Sequence, residues 1–260
     1  MKKILAILLA LALVFAMAAC GGDPVDTGDN TDPVTDPVDG TDDTTDTQPA
    51  DDTTDEPALE VMSYDEYVAA ELDSEVLVEV YVQATQSWWE DKITVYAADE
   101  DGAYFIYEME CSEDDAALLV PGTKILVNGY KAEWSGEVEI IDATFELVED
   151  ADTYVAEAVD VTELLGTDEL IDYQNQLVAF NGLTVESIEF KNDGGDDIYV
   201  TVSKDGTEYS FCIEVYLTGT ETEVYQTASN LKAGDMINVE GFAYWYEGIN
   251  THITAIEAAK

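Results

Sequence analysis

The sequence repeats itself at a spacing of 112 residues. The segment "GTKILVNGYKAEWSGEVEIIDA", which begins at Gly122, aligns without a gap with "GDMINVEGFAYWYEGINTHITA", which begins at Gly234. Three glycines coincide in this alignment, and Val127 coincides with Val239. Solenoid repeats have periods of about 20 to 50 residues, so a period this long indicates two related domains.

The first copy has a readable order of elements. "EVLVEVYVQAT" alternates apolar and polar residues as a strand does, and "KITVYAADEDGAYFIYEME" is typical of a hairpin that turns at Asp101-Gly102. "SEDDAALL" predicts a short helix capped by Ser112, and two strands joined near Ser135-Gly136 follow it. A helix with a capping box, Ser63 and Glu66, precedes the first strand.

The second copy repeats this order. Strands are predicted in "QLVAFNGLTVES" and "DIYVTVSKDGTEYSFCIEVYL", then a helix capped at Thr220 with Glu223, then strands in "MINVEGFAYWY" and "NTHITAIEAA". Three strands, a helix and two strands is the order of the OB-fold, a five-stranded Greek-key barrel. Small barrels bend sharply at glycines within strands, and such glycines occur at Gly129, Gly182 and Gly241.

We therefore predict a mainly β protein with two tandem OB-fold-like five-stranded barrels, each with a short helix between strands 3 and 4. The domains span residues 59–150 and 151–260. A pair of small β-sandwiches is the structural alternative.

The first 58 residues differ from this pattern. Residues 1–20, "MKKILAILLALALVFAMAAC", have lysines, an apolar run and small residues in the order of a secretory signal, with an uncleaved membrane anchor as the alternative. Residues 21–58 are rich in Asp, Thr and Pro and almost free of apolar residues, so they are predicted to be a disordered acidic linker.

The ending "MAAC" resembles the lipobox of bacterial lipoproteins, although Met17 stands where leucine is usual. The resemblance implies that Cys20 is lipidated and that the protein is secreted and anchored to the outer face of the bacterial cytoplasmic membrane. Residues 60–260 are similar to the OB-fold domains of bacterial surface lipoproteins, most clearly in "YDEYVAAELDSEVLVEVYVQA", "PGTKILVNGYKAEWSGEVEI" and "YWYEG". This resemblance implies a fold and a location but no activity.

Aromatic residues cluster in the predicted loops that OB-folds use to bind ligands. These proteins bind through the face of strands 2 and 3 and through the loops between strands 1 and 2 and between strands 4 and 5. The candidate ligand-binding residues are Trp88, Trp89, Trp134, Tyr244, Trp245 and Tyr246. Ordinary packing of these rings is the alternative, because alternation along a strand sends Tyr244 and Tyr246 to one side and Trp245 to the other.

The net charge of the chain restricts the kinds of partner that we expect. The formal net charge is −49, and the chain has no arginine. Residues 59–150 hold 24 acidic residues and three lysines, and residues 151–260 hold 21 and four. Since affinity for nucleic acid depends on neutralised phosphates, we expect no nucleic-acid partner. The expected function is a non-catalytic binding module for an extracellular glycan or a protein partner such as a basic protein. A structural or adhesive spacer is the alternative, and a Ca-binding protein or a nucleic-acid-binding OB-fold is less favoured.

Chemistry-bearing motifs are few. Asp193, Asp196 and Asp197 in "NDGGDD" suggest a weak Ca²⁺ site without the EF-hand spacing; no other metal or cofactor is expected. His252 is the single histidine, and no nucleophile motif occurs, so no catalytic residue is expected; a carboxylate pair for glycoside hydrolysis is the enzymatic alternative. Cys111 and Cys212 are predicted to be buried thiols rather than a disulfide between the barrels.

Overall fold

The computed structural model describes residues 59–192 and 195–259. The predicted signal with Cys20, the linker at residues 21–58 and Asp193 lie outside the described residues. Within the described part of the chain, no helix has both the length and the apolar character needed to cross a membrane.

Barrel 1 is a closed sheet of five strands. A helix, α1 (Tyr64–Ala69), precedes it, and α2 (Glu113–Ala116) lies between its third and fourth strands. Its strands are β1 (Glu75–Thr85), β2 (Lys92–Ala98), β3 (Ala103–Glu110), β4 (Lys124–Trp134) and β5 (Glu137–Leu147). They pair in the order β1-β2-β3-β5-β4, and pairing of β1 with β4 closes the ring.

Barrel 2 repeats this topology. After the short edge strand β6 (Val159–Asp160), the ring consists of β7 (Leu177–Phe190), β8 (Ile198–Lys204), β9 (Thr207–Ile213), β10 (Met236–Phe242) and β11 (His252–Ala258). The order is β7-β8-β9-β11-β10, and β10 pairs back to β7. Two helices, α3 (Val215–Thr218) and α4 (Glu223–Ala228), separate β9 from β10. The predicted pair of OB-fold-like barrels is confirmed, and the β-sandwich alternative is wrong.

Most of the local signals are also found where the sequence predicts them. Ser63 and Glu66 form the capping box of α1, and Ser112 caps α2. The cap of α4 is an exception: Thr222 accepts from the Tyr225 amide, so the prediction of Thr220 was wrong by two residues. The predicted strand at "EVYL" was also wrong, because this stretch forms α3, capped by the Glu214 carboxylate.

Residues 151–176, to which the sequence assigned no element, connect the two barrels. This segment contains β6 and two 3₁₀ helices, Thr162–Leu164 and Asp168–Tyr173. Each barrel has its own apolar core of alternating inward-facing residues, with Val127 buried in the first and its repeat equivalent Val239 in the second.

The repeated glycines mark the same bend in both barrels. The register between β4 and β5 shifts at Gly129, and the register between β10 and β11 shifts at Gly241. A Cβ at Gly129 would lie 2.7 Å from Ile140 Cγ2 and 2.9 Å from the Ile141 carbonyl oxygen. At Gly241 a Cβ would collide with the His252 backbone. The strands approach too closely for a side chain, which explains why both copies have glycine there.

A buried lysine fixes α1 to barrel 1. The Lys131 ammonium, on β4, donates to the carbonyl oxygens of Tyr67, Val68 and Ala70 at 3.0, 2.7 and 2.9 Å. It also lies 5.2 Å from the centre of the Tyr67 ring. Burial lowers the pKa of Lys131. The carbonyl oxygens at the end of a helix have no partner within the helix, and here one cation satisfies three backbone oxygens around this end.

Replacing Lys131 with Met should lower the free energy of unfolding by about 2 kcal/mol, because buried carbonyl oxygens then lose a charged donor. Urea denaturation measures this change. Lys232→Met, at an exposed lysine, is the matched control and should shift the midpoint little. Equal effects of the two substitutions would contradict the role given to Lys131.

Candidate functional site

A groove of about 360 Å³ opens on the side of barrel 1 formed by β2, β3 and the loop between β1 and β2. This is the face through which OB-folds bind ligands. Three rings, three uncharged polar residues, one aliphatic residue and one ion pair line it: Trp89, Tyr107, Tyr216, Gln86, Ser87, Thr94, Ile93, Lys92 and Glu108.

The three rings of the groove are exposed. Trp89 is 70% exposed, Tyr216 58% and Tyr107 43%. Exposed large rings around one concavity are available for stacking with a flat ligand. They come from three separate elements: the first loop of barrel 1, strand β3, and α3 of barrel 2.

The loop after β1 directs its two tryptophans differently. The Trp88 indole N–H donates to the Cys111 carbonyl oxygen at 2.8 Å, so this ring is tied to barrel 1 and half-buried. Trp89 and Lys92 exchange backbone hydrogen bonds at 2.9 and 3.0 Å around a tight turn. Both residues between them, Glu90 and Asp91, have positive φ. The turn leaves the Trp89 ring in solvent at the groove.

The charged residues that line the groove neutralise each other. Lys92 Nζ lies 2.7 Å from Glu108 Oε2. Their hydrogen bond raises the pKa of Lys92 and lowers the pKa of Glu108, so both are ionised at neutral pH. The groove lining therefore has no net charge, in contrast to the strongly acidic chain as a whole.

Barrel 2 completes one wall of the groove. The Ser87 amide and hydroxyl both donate to the Tyr216 carbonyl oxygen, at 2.7 and 3.2 Å. Tyr216 belongs to α3, the helix that follows β9. The position of its ring over the groove consequently depends on how the two barrels are joined.

The joint between the barrels is a buried aromatic cluster. The Tyr96 hydroxyl lies 2.6 Å from His252 Nδ1, and the His252 ring stacks on Tyr244 with centroids 4.2 Å apart. Tyr96 also stacks on Phe242 at 4.4 Å, and Phe105 meets Tyr244 edge-on at 5.2 Å. Residues from β2 and β3 thus pack directly against residues from β10, β11 and the turn between them.

His252 is neutral in this cluster. Burial lowers its pKa to about 3. A neutral imidazole has one N–H donor and one acceptor nitrogen, and its Nδ1 forms the hydrogen bond with the Tyr96 hydroxyl. The Tyr96 hydroxyl also accepts from Gln86 Nε2 at 3.2 Å, so a hydrogen-bonded chain runs from the groove to the joint.

The folded protein should therefore lose stability in acid because of His252. The unfolded histidine binds a proton near pH 6.5 and the folded one only near pH 3, so stability falls as the pH decreases through this interval. The contribution to the slope is up to about 1.4 kcal/mol per pH unit.

Urea denaturation of the wild type and of His252→Gln across this interval isolates the effect from that of the carboxylates. The wild type should lose more stability on acidification than the variant does. Parallel pH profiles would contradict a buried neutral histidine.

The turns between the fourth and fifth strands of the two barrels meet. The Glu247 amide donates to the Ser135 carbonyl oxygen at 2.8 Å. Trp134 and Tyr246, which precede these two residues, are 62% and 52% exposed. Trp245 packs against the core of barrel 2, and Tyr244 against the joint.

The six predicted ring residues accordingly do not form one surface. Trp89 is the member that lines the groove, Trp134 and Tyr246 are exposed at the meeting turns, and Trp88, Tyr244 and Trp245 are half-buried. Sequence reasoning missed Tyr107, Tyr216 and Lys92. The general rule that OB-folds bind on strands 2 and 3 pointed to the strands that hold Tyr107 and Lys92, whereas nothing in the sequence places Tyr216 on barrel 1.

The two described aspartates of the predicted weak Ca²⁺ site, Asp196 and Asp197, already have hydrogen-bond partners in the protein. Asp197 Oδ2 is bound to Lys191 Nζ at 2.9 Å, and its Oδ1 accepts from the Val215 amide at 3.0 Å. Asp196 Oδ1 accepts from the Asp197 amide. Within residues 59–192 and 195–259, no group of three or more His, Cys, Asp or Glu residues is arranged to hold a metal ion. Asp193 lies outside the described residues.

The two cysteines are free and buried, as predicted. Burial raises the pKa of the Cys111 thiol to about 11 and raises the pKa of Cys212 still further. Both are protonated and unreactive at neutral pH.

No protein-family model matches the sequence, and no curated protein is significantly similar to it. Solved structures do resemble it. A murine DNA-binding protein bound to double-stranded DNA is 12% identical, with a TM-score of 0.35 over 71% of this chain and 96% of that one. The Ifi202 HINa domain in complex with 20-base-pair DNA is 14% identical, with a TM-score of 0.34 over 72% and 100%.

A Replication Protein A heterotrimer bound to single-stranded DNA is also similar, at 14% identity and a TM-score of 0.29 over 69% of this chain and 50% of that one. These neighbours contradict the predicted glycan- or protein-binding module and the predicted absence of a nucleic-acid partner. The physical reason for the error is that charge was counted over whole barrels, whereas the groove itself is lined by one lysine paired with one glutamate. The likeness to these structures, at 12–14% identity, is one of fold.

Proposed function

We propose that barrel 1 binds an unpaired nucleobase, in a nucleoside or in a short single strand, by stacking it in the groove. The observation that carries this proposal is the convergence of Trp89, Tyr107 and Tyr216, all exposed, on one groove at the ligand face of an OB-fold. Its volume of about 360 Å³ is within the range of small-molecule sites. Binding is proposed without catalysis.

Stacking supplies the affinity. Every nucleobase has a flat π face, and stacking on an aromatic side chain contributes about 1–3 kcal/mol per base. The lining keeps some hydrogen-bonding capacity for the edge of a base: the Gln86 carbonyl oxygen and the Ser87 hydroxyl oxygen can accept, and the Thr94 hydroxyl, which accepts from the Glu108 amide, can donate. These groups share the groove lining with the exposed rings.

The electrostatic field of the chain limits which base-containing ligands can bind. Lys92 is the lysine of the groove lining, and it is already paired with Glu108. The formal net charge of −49 repels each added phosphate. A nucleoside or a strand with few phosphates is therefore favoured over a long polyanion.

Replacing Trp89 with Ala should weaken binding of thymidine and of a short oligothymidylate by roughly 5- to 150-fold, the loss of one stacking contact of about 1–3 kcal/mol. Isothermal titration with residues 21–260 measures this. Trp134→Ala removes an equally exposed tryptophan from outside the groove lining and is the matched control, with no change expected.

Two further ligands and a salt series make this test decisive. An abasic oligonucleotide of the same length should not bind, and neither should a neutral oligosaccharide. Raising the salt from about 0.05 M to about 0.5 M should strengthen binding of the oligothymidylate by screening repulsion and leave thymidine unchanged. Binding of the abasic strand or of the oligosaccharide with no binding of thymidine would overturn the proposal, as would no binding of any base.

We also propose that the protein is a surface lipoprotein anchored through Cys20 outside the bacterial cytoplasmic membrane. The support is the sequence of residues 1–20, with its lysines, apolar run and "MAAC" ending, followed by an acidic linker with few apolar residues. Several acyl chains on one cysteine make such an anchor effectively permanent.

Replacing Cys20 with Ala should abolish incorporation of an alkynyl fatty acid and release the protein from the membrane fraction of the expressing bacterium. Click labelling of the immunoprecipitated protein measures incorporation. Cys111→Ala is the matched control, because this buried thiol should not be acylated. Labelling that persists in Cys20→Ala would contradict the anchor.

A further inference from the structure

Glu137 is a fully buried acid at the joint between the barrels. It is the first residue of β5, and its relative exposure is 0%. Its Oε2 accepts from the Trp245 amide at 2.7 Å and from Gln174 Nε2 at 3.3 Å. One oxygen atom of barrel 1 is therefore bonded both to barrel 2 and to the segment that connects the barrels. Glu137 Oε1 has no hydrogen-bond partner among the described residues.

The same corner holds several backbone and amide contacts between the barrels. Gln174 Nε2 also donates to the Gly136 carbonyl oxygen at 2.7 Å, and Asn175 Nδ2 donates to the Val138 carbonyl oxygen at 3.0 Å. With the hydrogen bond from the Glu247 amide to the Ser135 carbonyl oxygen, the start of β5 is the most heavily bonded part of the joint.

The ionisable groups that face Glu137 give no compensation for a negative charge. They are Glu139 on its own strand, Tyr67 on α1 and Tyr244 after β10, and each of them is an acid. The Tyr67 hydroxyl is also buried, and it has no hydrogen-bond partner within residues 59–192 and 195–259. Lys131, which lies over the Tyr67 ring, is held by three carbonyl oxygens of the α1 region.

We propose that Glu137 is a protonation-controlled latch: as a neutral acid it holds the two barrels together, and as a carboxylate it loosens their joint. A neutral carboxyl group can be buried in this corner and still accept from Trp245 and Gln174 at Oε2, with its proton on Oε1. A carboxylate would carry a buried charge with one oxygen atom unsatisfied and no cation beside it, which is a strongly unfavourable arrangement.

The direction of the pH response follows from this environment. Burial raises the pKa of Glu137 to about 8, far above its ordinary value of 4.5. Between these two values the folded protein holds a proton that the unfolded chain has released. Stability contributed by this group therefore falls as the pH rises from about 4.5 to about 8, and is fully lost above that.

The test is hydrogen exchange of the full mature chain, residues 21–260, at about pH 6 and about pH 9, with rates corrected for the intrinsic effect of pH. Protection of the Trp245 and Glu247 amides reports on the joint, since both donate across it. In the wild type their protection should fall by up to about 100-fold over the range, because the charge penalty accumulates over about two pH units between pH 6 and the pKa of about 8. The Val127 amide, in the β1–β4 ladder of barrel 1, should stay protected.

Glu137→Gln mimics the neutral acid and should keep both amides protected at about pH 9. Glu133→Gln, at an exposed glutamate on the same hairpin, should respond to pH as the wild type does. Unchanged wild-type protection, or an equal fall in Glu137→Gln, would overturn the proposal.

A direct titration keeps the test informative where the variant fails to fold. The ¹³C shift of the Glu137 carboxyl carbon in the wild type should titrate near pH 8. A midpoint near the ordinary value of 4.5 would overturn the proposal without any substitution.

Discussion

The hydrogen bond between the Tyr96 hydroxyl and the His252 imidazole, closed in by Phe105, Phe242 and Tyr244, makes two barrels into one structure. Each barrel also has its own apolar core. What the joint determines is their relative placement. Through Ser87 it holds Tyr216 of barrel 2 over the groove of barrel 1, and through Gln86 it touches the groove directly.

The joint contains polar hydrogen-bonded groups as well as aromatic rings. Two of its buried ionisable groups, His252 and Glu137, are both neutral near pH 7. The histidine becomes charged when the pH is lowered, and the glutamate becomes charged when the pH is raised. Acid ionises the histidine and base ionises the glutamate, and either charge is buried. The joint is therefore most stable in between. In a chain with a formal net charge of −49, keeping a glutamate uncharged at the contact also avoids repulsion between the barrels.

Much of the fold could be predicted from the sequence, because alternation, turn residues and the 112-residue repeat are local or self-consistent signals. Gly129 and Gly241 were predicted as bends because glycine inside a strand is typical of one. In the structure, no side chain fits between the strands at either position. The joint could not be predicted. Gln174 and Asn175 lie in a stretch without periodicity, and His252 and Glu137 look like ordinary strand residues until another barrel covers them. Part of the groove could be predicted, because the binding face and Trp89 follow from the OB-fold pattern. Tyr216 could not be predicted, because it reaches the groove from the other barrel.

The charge of the groove lining differs from the charge of the barrel as a whole. A count over a whole domain describes the field at a distance, and it led to the exclusion of nucleic acid. At the groove, the lining holds Lys92 and Glu108 bonded to each other, and the exposed rings dominate the surface. The proposed ligand is a flat base with little phosphate, which meets the neutral lining and avoids most of the acidic field.

The central claim is that the buried joint unites the two barrels, and differential scanning calorimetry of residues 59–260 at neutral pH tests it most directly. The account predicts one cooperative transition, with equal calorimetric and van't Hoff enthalpies. Two separate transitions, or a van't Hoff enthalpy near half of the calorimetric value, would show that the barrels unfold independently and would contradict it.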